Sequence, residues 1–247
     1  MKRLDNYSQN FIRNPQLVKD LLVRTTISHE DVVYDIGAGS GVISSVLADY
    51  CKSVIAVEFE PRMASKLREN MAIYPNVSVY EGDFLTMVLP NTPYKIFANI
   101  PFHLSSPIIH KIAEAKNPPV VTYLFVQRQF GEKMITDSNK FKGQLGMVIG
   151  PEFTVRIKQR LQRTDFWPHP NVDVVFIEIT QRTQPLINKD KMPAYCRLVE
   201  GCYSDPKIFA KMPISEINLK LGVKPSQMKL NQWVGLFKIV DNIKGKF

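Results

Sequence analysis

The sequence predicts an α/β protein, with a mostly parallel sheet closed by an antiparallel strand and a small all-helical unit behind it. Three observations predict it. From residue 15 to 127, strand-like apolar runs alternate with segments of helical spacing ten to fifteen residues long, the pattern of βαβ units. After 150, two strand-like runs are joined by a link too short for a crossover helix, which calls for an antiparallel pair. Beyond TQRTQP (180–185) only helical segments follow, so a domain boundary is expected near 181, giving domains 1–181 and 182–247.

In PQLVKDLLVRT (15–25), Leu17, Val18, Leu21 and Leu22 recur at helical spacing and Pro15 suits a first turn. DVVYDI (31–36) is a buried-strand run that stops at a glycine-rich turn, and GVISSVLADY (41–50) resumes the helical period. SVIAVEF (53–59) is a strand, and Pro61 opens a helix over 61–74. NVSVYEGDF (76–84) and YKIFANI (94–100) are strands, SSPIIHKIAEAK (105–116) a helix and VVTYLFVQ (120–127) a strand. FTVRIKQRL (153–161) and VDVVFIEIT (172–180) form the closing pair. Helices are expected in KMPAYCRLVEGCY, EINLKLG and QWVGLFKIV.

Composition limits the partners. The 247 residues are 45% hydrophobic and 22% charged, enough for a sizeable core and no sign of pervasive disorder. The net charge of +9 favours a polyanion. Residues 1–181 carry a net +2 and residues 182–247 a net +7, so a basic docking surface is expected partly in the tail. Three cysteines without a CxxC pair suit a reducing, cytoplasmic setting, and four scattered histidines give no metal-ligand set. The N-terminal MKRLDNYSQN lacks the apolar stretch of a secretory signal, and no apolar run approaches the roughly 20 residues of a membrane span.

The chemistry gathers at strand ends. DIGAGSG (35–41) places glycines at 37, 39 and 41 between a strand and a helix, where the backbone can turn sharply and approach a ligand. The spacing is GxGxG, not the GxGxxG of dinucleotide binders. Glu58 ends the second strand, where a carboxylate can accept from both ribose hydroxyls; the alternative is a solvated surface acid. Asp83 can accept from an adenine amino group while Phe84 covers the ring; the alternative is a turn Asp beside a core Phe. In FANIPF (97–102), Pro101 has no N–H for a ladder, so the strand stops and leaves Asn99 at its end with Phe102 three residues on; the alternative is a plain strand stop with a capping Asn and a core Phe. Four strand ends with such groups in chain order point to a nucleoside-bearing cofactor.

The ordered set SQNF (8–11), DIGAGSG, Glu58, GDF (82–84), NIPF (99–102) and FWPHP (166–170) resembles the rRNA adenine N6-methyltransferases. That superfamily holds the Erm enzymes of macrolide resistance and the KsgA/Dim-type small-subunit dimethylases. YSQNFI, YKIFANIPFHLSS and the chain length are most similar to Erm proteins. The resemblance implies a class I methyltransferase, Rossmann-like catalytic domain and S-adenosylmethionine as cofactor. Gly37, Ala38, Gly39 and Gly41 would cradle the cofactor, Glu58 its ribose, Asp83 and Phe84 its adenine, and Gln9, Asn10 and Asn99 the methionine end. Asn99, Ile100, Pro101 and Phe102 would hold the target adenine, with Phe166 as a second stacking face. The Asn99 side-chain oxygen and the Ile100 carbonyl would take the two N6 hydrogens, leaving the lone pair for in-line attack. The implied partner is ribosomal RNA, 23S favoured over 16S, acted on by a monomer without metal or membrane; the alternative of another class is a nucleic-acid-binding relative that keeps the fold and not the catalysis.

Two departures stand out. Phe102 replaces the family's usual Tyr, and the pattern FxPxPKVxS reads FWPHPNVDV (166–174). Asn171 stands where Lys is usual, and Asp173 adds a negative charge on the expected RNA side. Arg156, Lys158 and Arg160 alternate on a strand and would present three cations to phosphates; the alternative is an edge strand guarded by charge. Lys207 and Lys211 are further RNA-contact candidates in the tail.

Overall fold

A computed structural model describes residues 11–138, 140–220 and 222–244. The chain enters through β1 (Phe11–Ile12) and α1 (Pro15–Leu22), whose first turn is capped by the Asn14 side chain accepting from Gln16 N at 2.9 Å. The alternation follows: β2 (Val32–Ile36), α2 (Val42–Ala48), β3 (Ser53–Glu58), α3 (Pro61–Met71), β4 (Val77–Glu81), β5 (Lys95–Ala98), α4 (Ser105–Ala113) and β6 (Val121–Gln127). Two short helices, α5 (Arg128–Met134) and α6 (Gln144–Ile149), precede β7 (Phe153–Leu161), β8 (Phe166–Trp167) and β9 (Val174–Gln181). Helices α7 (Met192–Ser204), α8 (Pro206–Ala210) and α9 (Leu230–Lys244) complete the described chain.

The main sheet has seven strands in the order β4-β3-β2-β5-β6-β9-β7. Strands β2 to β6 pair in parallel, β9 runs antiparallel to β6, and β7 lies beside β9 at the sheet edge, so the two runs joined by the short link are neighbours. The chain lays β3 and β4 on one side of β2 and β5 and β6 on the other. The order therefore reverses between β2 and β5, and the crevice beyond their carboxyl ends is where such sheets bind ligands. Strands β5 and β6 are buried almost throughout, the mark of parallel strands covered on both faces. On one face Phe97, Tyr123, Phe125 and Phe176 form a ring cluster with centroids 5.0–6.2 Å apart.

By packing, the chain divides into two units. One comprises the residues up to Arg128 together with Ile157–Thr180, and the other Gln129–Arg156 together with the chain from Gln181. The single boundary drawn near 181 from sequence thus falls close to one of the observed crossings, while segment 129–156 joins the helical unit. The reason is local: α6 buries Met147, Val148 and Ile149, and the Tyr195 hydroxyl of α7 donates to Met147 O at 2.9 Å. That unit's core also holds Trp233, stacked on Tyr203 at 5.8 Å, and Phe237 edge-on to Tyr195. The helix expected over EINLKLG is instead a 3-10 turn, Ile214–Ile217, stopped by Asn218 in the left-handed region (φ 57°).

Candidate active site

The glycine turn is built as its composition demands. Gly37, Gly39 and Gly41 all have positive φ (69°, 56° and 95°), which L side chains rarely adopt. At Gly41 a Cβ would also fall 2.7 Å from Met71 Cε and 2.8 Å from Leu67 Cδ1. The turn is anchored to β3, because Gly37 N and Ala38 N both donate to Val57 O, at 2.8 and 3.0 Å.

Glu58 is buried, only 2% exposed, and does more than face a ligand. Its Oε2 accepts from Gly39 N at 2.8 Å and its Oε1 from Glu60 N at 2.9 Å. Its carboxylate therefore pins the turn to the end of β3. Beneath the turn lies Asp35, fully buried, with Oδ2 accepting from Ser44 Oγ at 2.6 Å and Oδ1 without a hydrogen-bond partner among the described residues. Burial above all, and then the charge of Glu58, push the Asp35 carboxyl up to about 7 against the pull of the Ser44 hydrogen bond.

The register of the sheet brings the expected residues together. Ile36 pairs with Val57, and Glu58 with Glu81, so the turn after β2, Glu58 and the loop after β4 share one edge. Gly82 N donates to Glu58 O at 2.9 Å, and Asp83 Oδ1 accepts from Leu85 N at 2.8 Å. Lys111 of α4 fastens this loop, donating to Leu85 O and Met87 O at 3.0 and 2.7 Å while its ammonium lies 5.7 Å over the Phe84 ring. On the β5 side, a Cβ on Gly37 would meet Pro101 Cδ at 3.7 Å and Asn99 O at 3.9 Å. The NIPF segment therefore abuts the glycine turn.

Between them is a cleft of about 200 Å³. Gly37, Glu58, Asp83, Phe84 and Pro101 line it, together with His103, one of the scattered histidines, and with Phe59, Leu104 and Ile108, which the sequence does not single out. Phe59 stays 58% exposed and so has no core role; in the sequence its one signal is its place directly after the strand-end acid Glu58. A cleft with a carboxylate on each of two strand ends and a wall formed by a positive-φ glycine turn fits a nucleoside-bearing cofactor.

Other expected residues lie elsewhere. Gln9 and Asn10 fall outside the described residues. Ile100 is buried, and Phe102 is half-buried against the hydrophobic core. Phe166 departs from its expected place: it is 1% exposed and meets Phe125 edge-on at 6.2 Å, so its ring is enclosed as core rather than offered as a stacking face. The alternation of β8 causes this, and leaves Trp167 outside. The negative charge of Asp173 is held by Arg128 (3.1 Å) and Arg163 (3.0 Å), so it orders two guanidinium groups instead of standing alone. On β7, Arg156 and Arg160 are exposed, whereas Lys158 is tied to Glu178 at 3.1 Å. Lys207 and Lys211 are exposed. Among the described residues no cluster of His, Cys, Asp or Glu could hold a metal ion, and no helix is long and apolar enough to cross a membrane.

Sheet order, glycine turn and strand-end acids together define the Rossmann-like fold of a class I methyltransferase. The match to known proteins narrows this. The family model for ribosomal RNA adenine dimethylases matches residues 2–206, and the chain belongs to that family of rRNA adenine methyltransferases. An rRNA adenine N-6-methyltransferase of Saccharopolyspora erythraea is 26% identical over 95% of this chain and 65% of its own length. The ribosomal RNA small subunit methyltransferase A of Fusobacterium nucleatum is 27% identical over 97% of this chain and 98% of its own. Among solved structures, the 23S rRNA methyltransferase ErmE superposes with a TM-score of 0.80 at 25% identity, covering 94% of this chain and all of that one.

Proposed function

We propose that this protein transfers methyl groups from S-adenosylmethionine to N6 of an adenine in 23S rRNA, with resistance to macrolide, lincosamide and streptogramin B antibiotics as the outcome. The observation that carries the reading is the meeting of the glycine turn with Asn99 and Pro101 at the reversal of strand order. The likeness to ErmE over nearly the whole chain favours the large-subunit target.

Gly37, Ala38, Gly39 and Gly41 form the cofactor's cradle, Glu58 accepts from the ribose, and Asp83 and Phe84 take the adenine. Gln9, Asn10 and Asn99 hold the methionine end. When bound, the cofactor supplies an electrophilic methyl group. An adenine N6 is a poor nucleophile because its lone pair is delocalised into the ring. Asn99 and the Ile100 carbonyl accept its two hydrogens and favour a pyramidal nitrogen whose lone pair can attack in line. Pro101 stiffens that carbonyl, and Phe102 stacks the base once it has left its partners. No strong base is required, since the methylated nitrogen is acidic and loses its proton late. Arg156, Arg160, Lys207 and Lys211 supply sequence-independent phosphate contacts.

A second reading, a small-subunit rRNA dimethylase, rests on the end-to-end match to the Fusobacterium relative. Protein-free 23S and 16S rRNA, incubated in parallel with tritiated S-adenosylmethionine and mapped to the nucleotide, separate the two. Label on an adenine of the drug-binding region of 23S supports the first reading, and label confined to 16S replaces it with the second.

A further inference from the structure

Trp167 is 49% exposed, next to the enclosed Phe166, and two contacts set it apart from a stray surface aromatic. The Arg13 guanidinium lies 4.8 Å over its ring. His169 meets it edge-on at 5.6 Å and 84°. That imidazole is itself fixed, because its Nδ1 is 2.8 Å from Phe166 O and 3.1 Å from Arg163 O, so it donates to backbone carbonyls. The indole is thus held in one orientation by groups that leave much of it in solvent.

Its position follows from strand pairing. Phe11 and Trp167 are direct partners in the β1–β8 ladder, so their side chains project from the same face about one strand spacing apart. The Phe11 ring rests on the glycine turn: a Cβ on Gly39 would fall 3.0 Å from Phe11 Cε1. Trp167 therefore stands beside the turn whose other flank is Asn99 and Pro101. Arg163, in the link before β8, shares Asp173 with Arg128 at the start of α5, two cations against one carboxylate.

We propose that Trp167, backed by Arg13, is a second base-stacking site that takes a nucleotide flanking the target adenine, with that nucleotide's phosphate on Arg13 and Arg163. The inference rests on the reading that an RNA adenine is the substrate. A base drawn out of its stack leaves its neighbour with an uncovered face, and an ordered indole covers it without regard to sequence. The guanidinium groups match the sugar-phosphate chain in charge.

Indole fluorescence tests this directly, because the chain has two tryptophans and Trp233 is fully buried in the helical core. The probes are single-stranded oligoadenylate and an abasic ribose-phosphate strand of equal length, with binding followed separately by anisotropy. Oligoadenylate should quench the wild-type signal saturably and the abasic strand should not. Trp167→Ala should weaken oligoadenylate binding about tenfold and leave the abasic strand unaffected, while Trp167→Phe restores most of the loss. Arg13→Gln should weaken both strands. Bound oligoadenylate without quenching, or equal weakening of both strands by Trp167→Ala, overturns the stacking site while leaving rRNA methylation intact. Absence of binding to any RNA, and of methyl transfer to 23S or 16S, overturns the substrate reading beneath it.

Discussion

Replacing Glu58 with Gln changes one oxygen for one NH2 group in a side chain that is 2% exposed. Both carboxylate oxygens accept backbone N–H groups, Gly39 at 2.8 Å and Glu60 at 2.9 Å. An amide has a single acceptor oxygen, so in either orientation one N–H faces another donor. A hydrogen bond to a charged group contributes about 1.5–3 kcal/mol, and the folded state should lose about that much. The loosened glycine turn and the missing ribose acceptor should together weaken cofactor binding by roughly ten- to a hundredfold, at about 1.4 kcal/mol per tenfold. Urea unfolding of both proteins measures the first effect, and calorimetric titration with S-adenosylhomocysteine the second. A wild-type urea midpoint with wild-type affinity would refute the reasoning entirely. A lowered midpoint with unchanged affinity would keep Glu58 as the anchor of the turn and remove it from the ribose.

With cofactor held at saturation, Asn99→Ala should lower single-turnover methyl transfer by about 10²–10³, the usual cost of deleting one group that acts in the transition state; unchanged turnover would remove its role. Phe166→Ala should destabilise the fold by about 3–5 kcal/mol, as an enclosed aromatic does. Wild-type stability with lost turnover would return that ring to the substrate. Asp35 titrates near 7 when folded, above the value of about 3.9 for a free Asp. Its stabilising contribution is therefore complete below about pH 4 and lost as pH rises through 7. The unfolding free energy of wild type relative to Asp35→Asn should fall by roughly 4 kcal/mol over that interval, and a pH-independent difference in urea titrations would contradict the buried, partly unpartnered carboxyl.

Local chemistry made much of this protein legible from its sequence. Strand and helix periods, the glycines of DIGAGSG and the proline that ends FANIPF act over a few residues, so the alternating fold and the strand-end acids could be read without coordinates. Long-range packing decided what local pattern cannot express. In the β8 ladder, Phe166 and Trp167 are both aromatic and adjacent, and only the pairing of that strand with Phe11–Ile12 determines which is core and which faces outward. Arg156, Lys158 and Arg160 look equivalent along β7, yet Glu178 on β9 takes Lys158 alone. The sequence shows in Asp173 only an added negative charge, and the fold brings to it Arg128 and Arg163, 45 and 10 residues away in the chain. Charge, period and turn chemistry belong to the sequence; which face a side chain presents, and which distant group meets it, are set by the register of strands far apart along it.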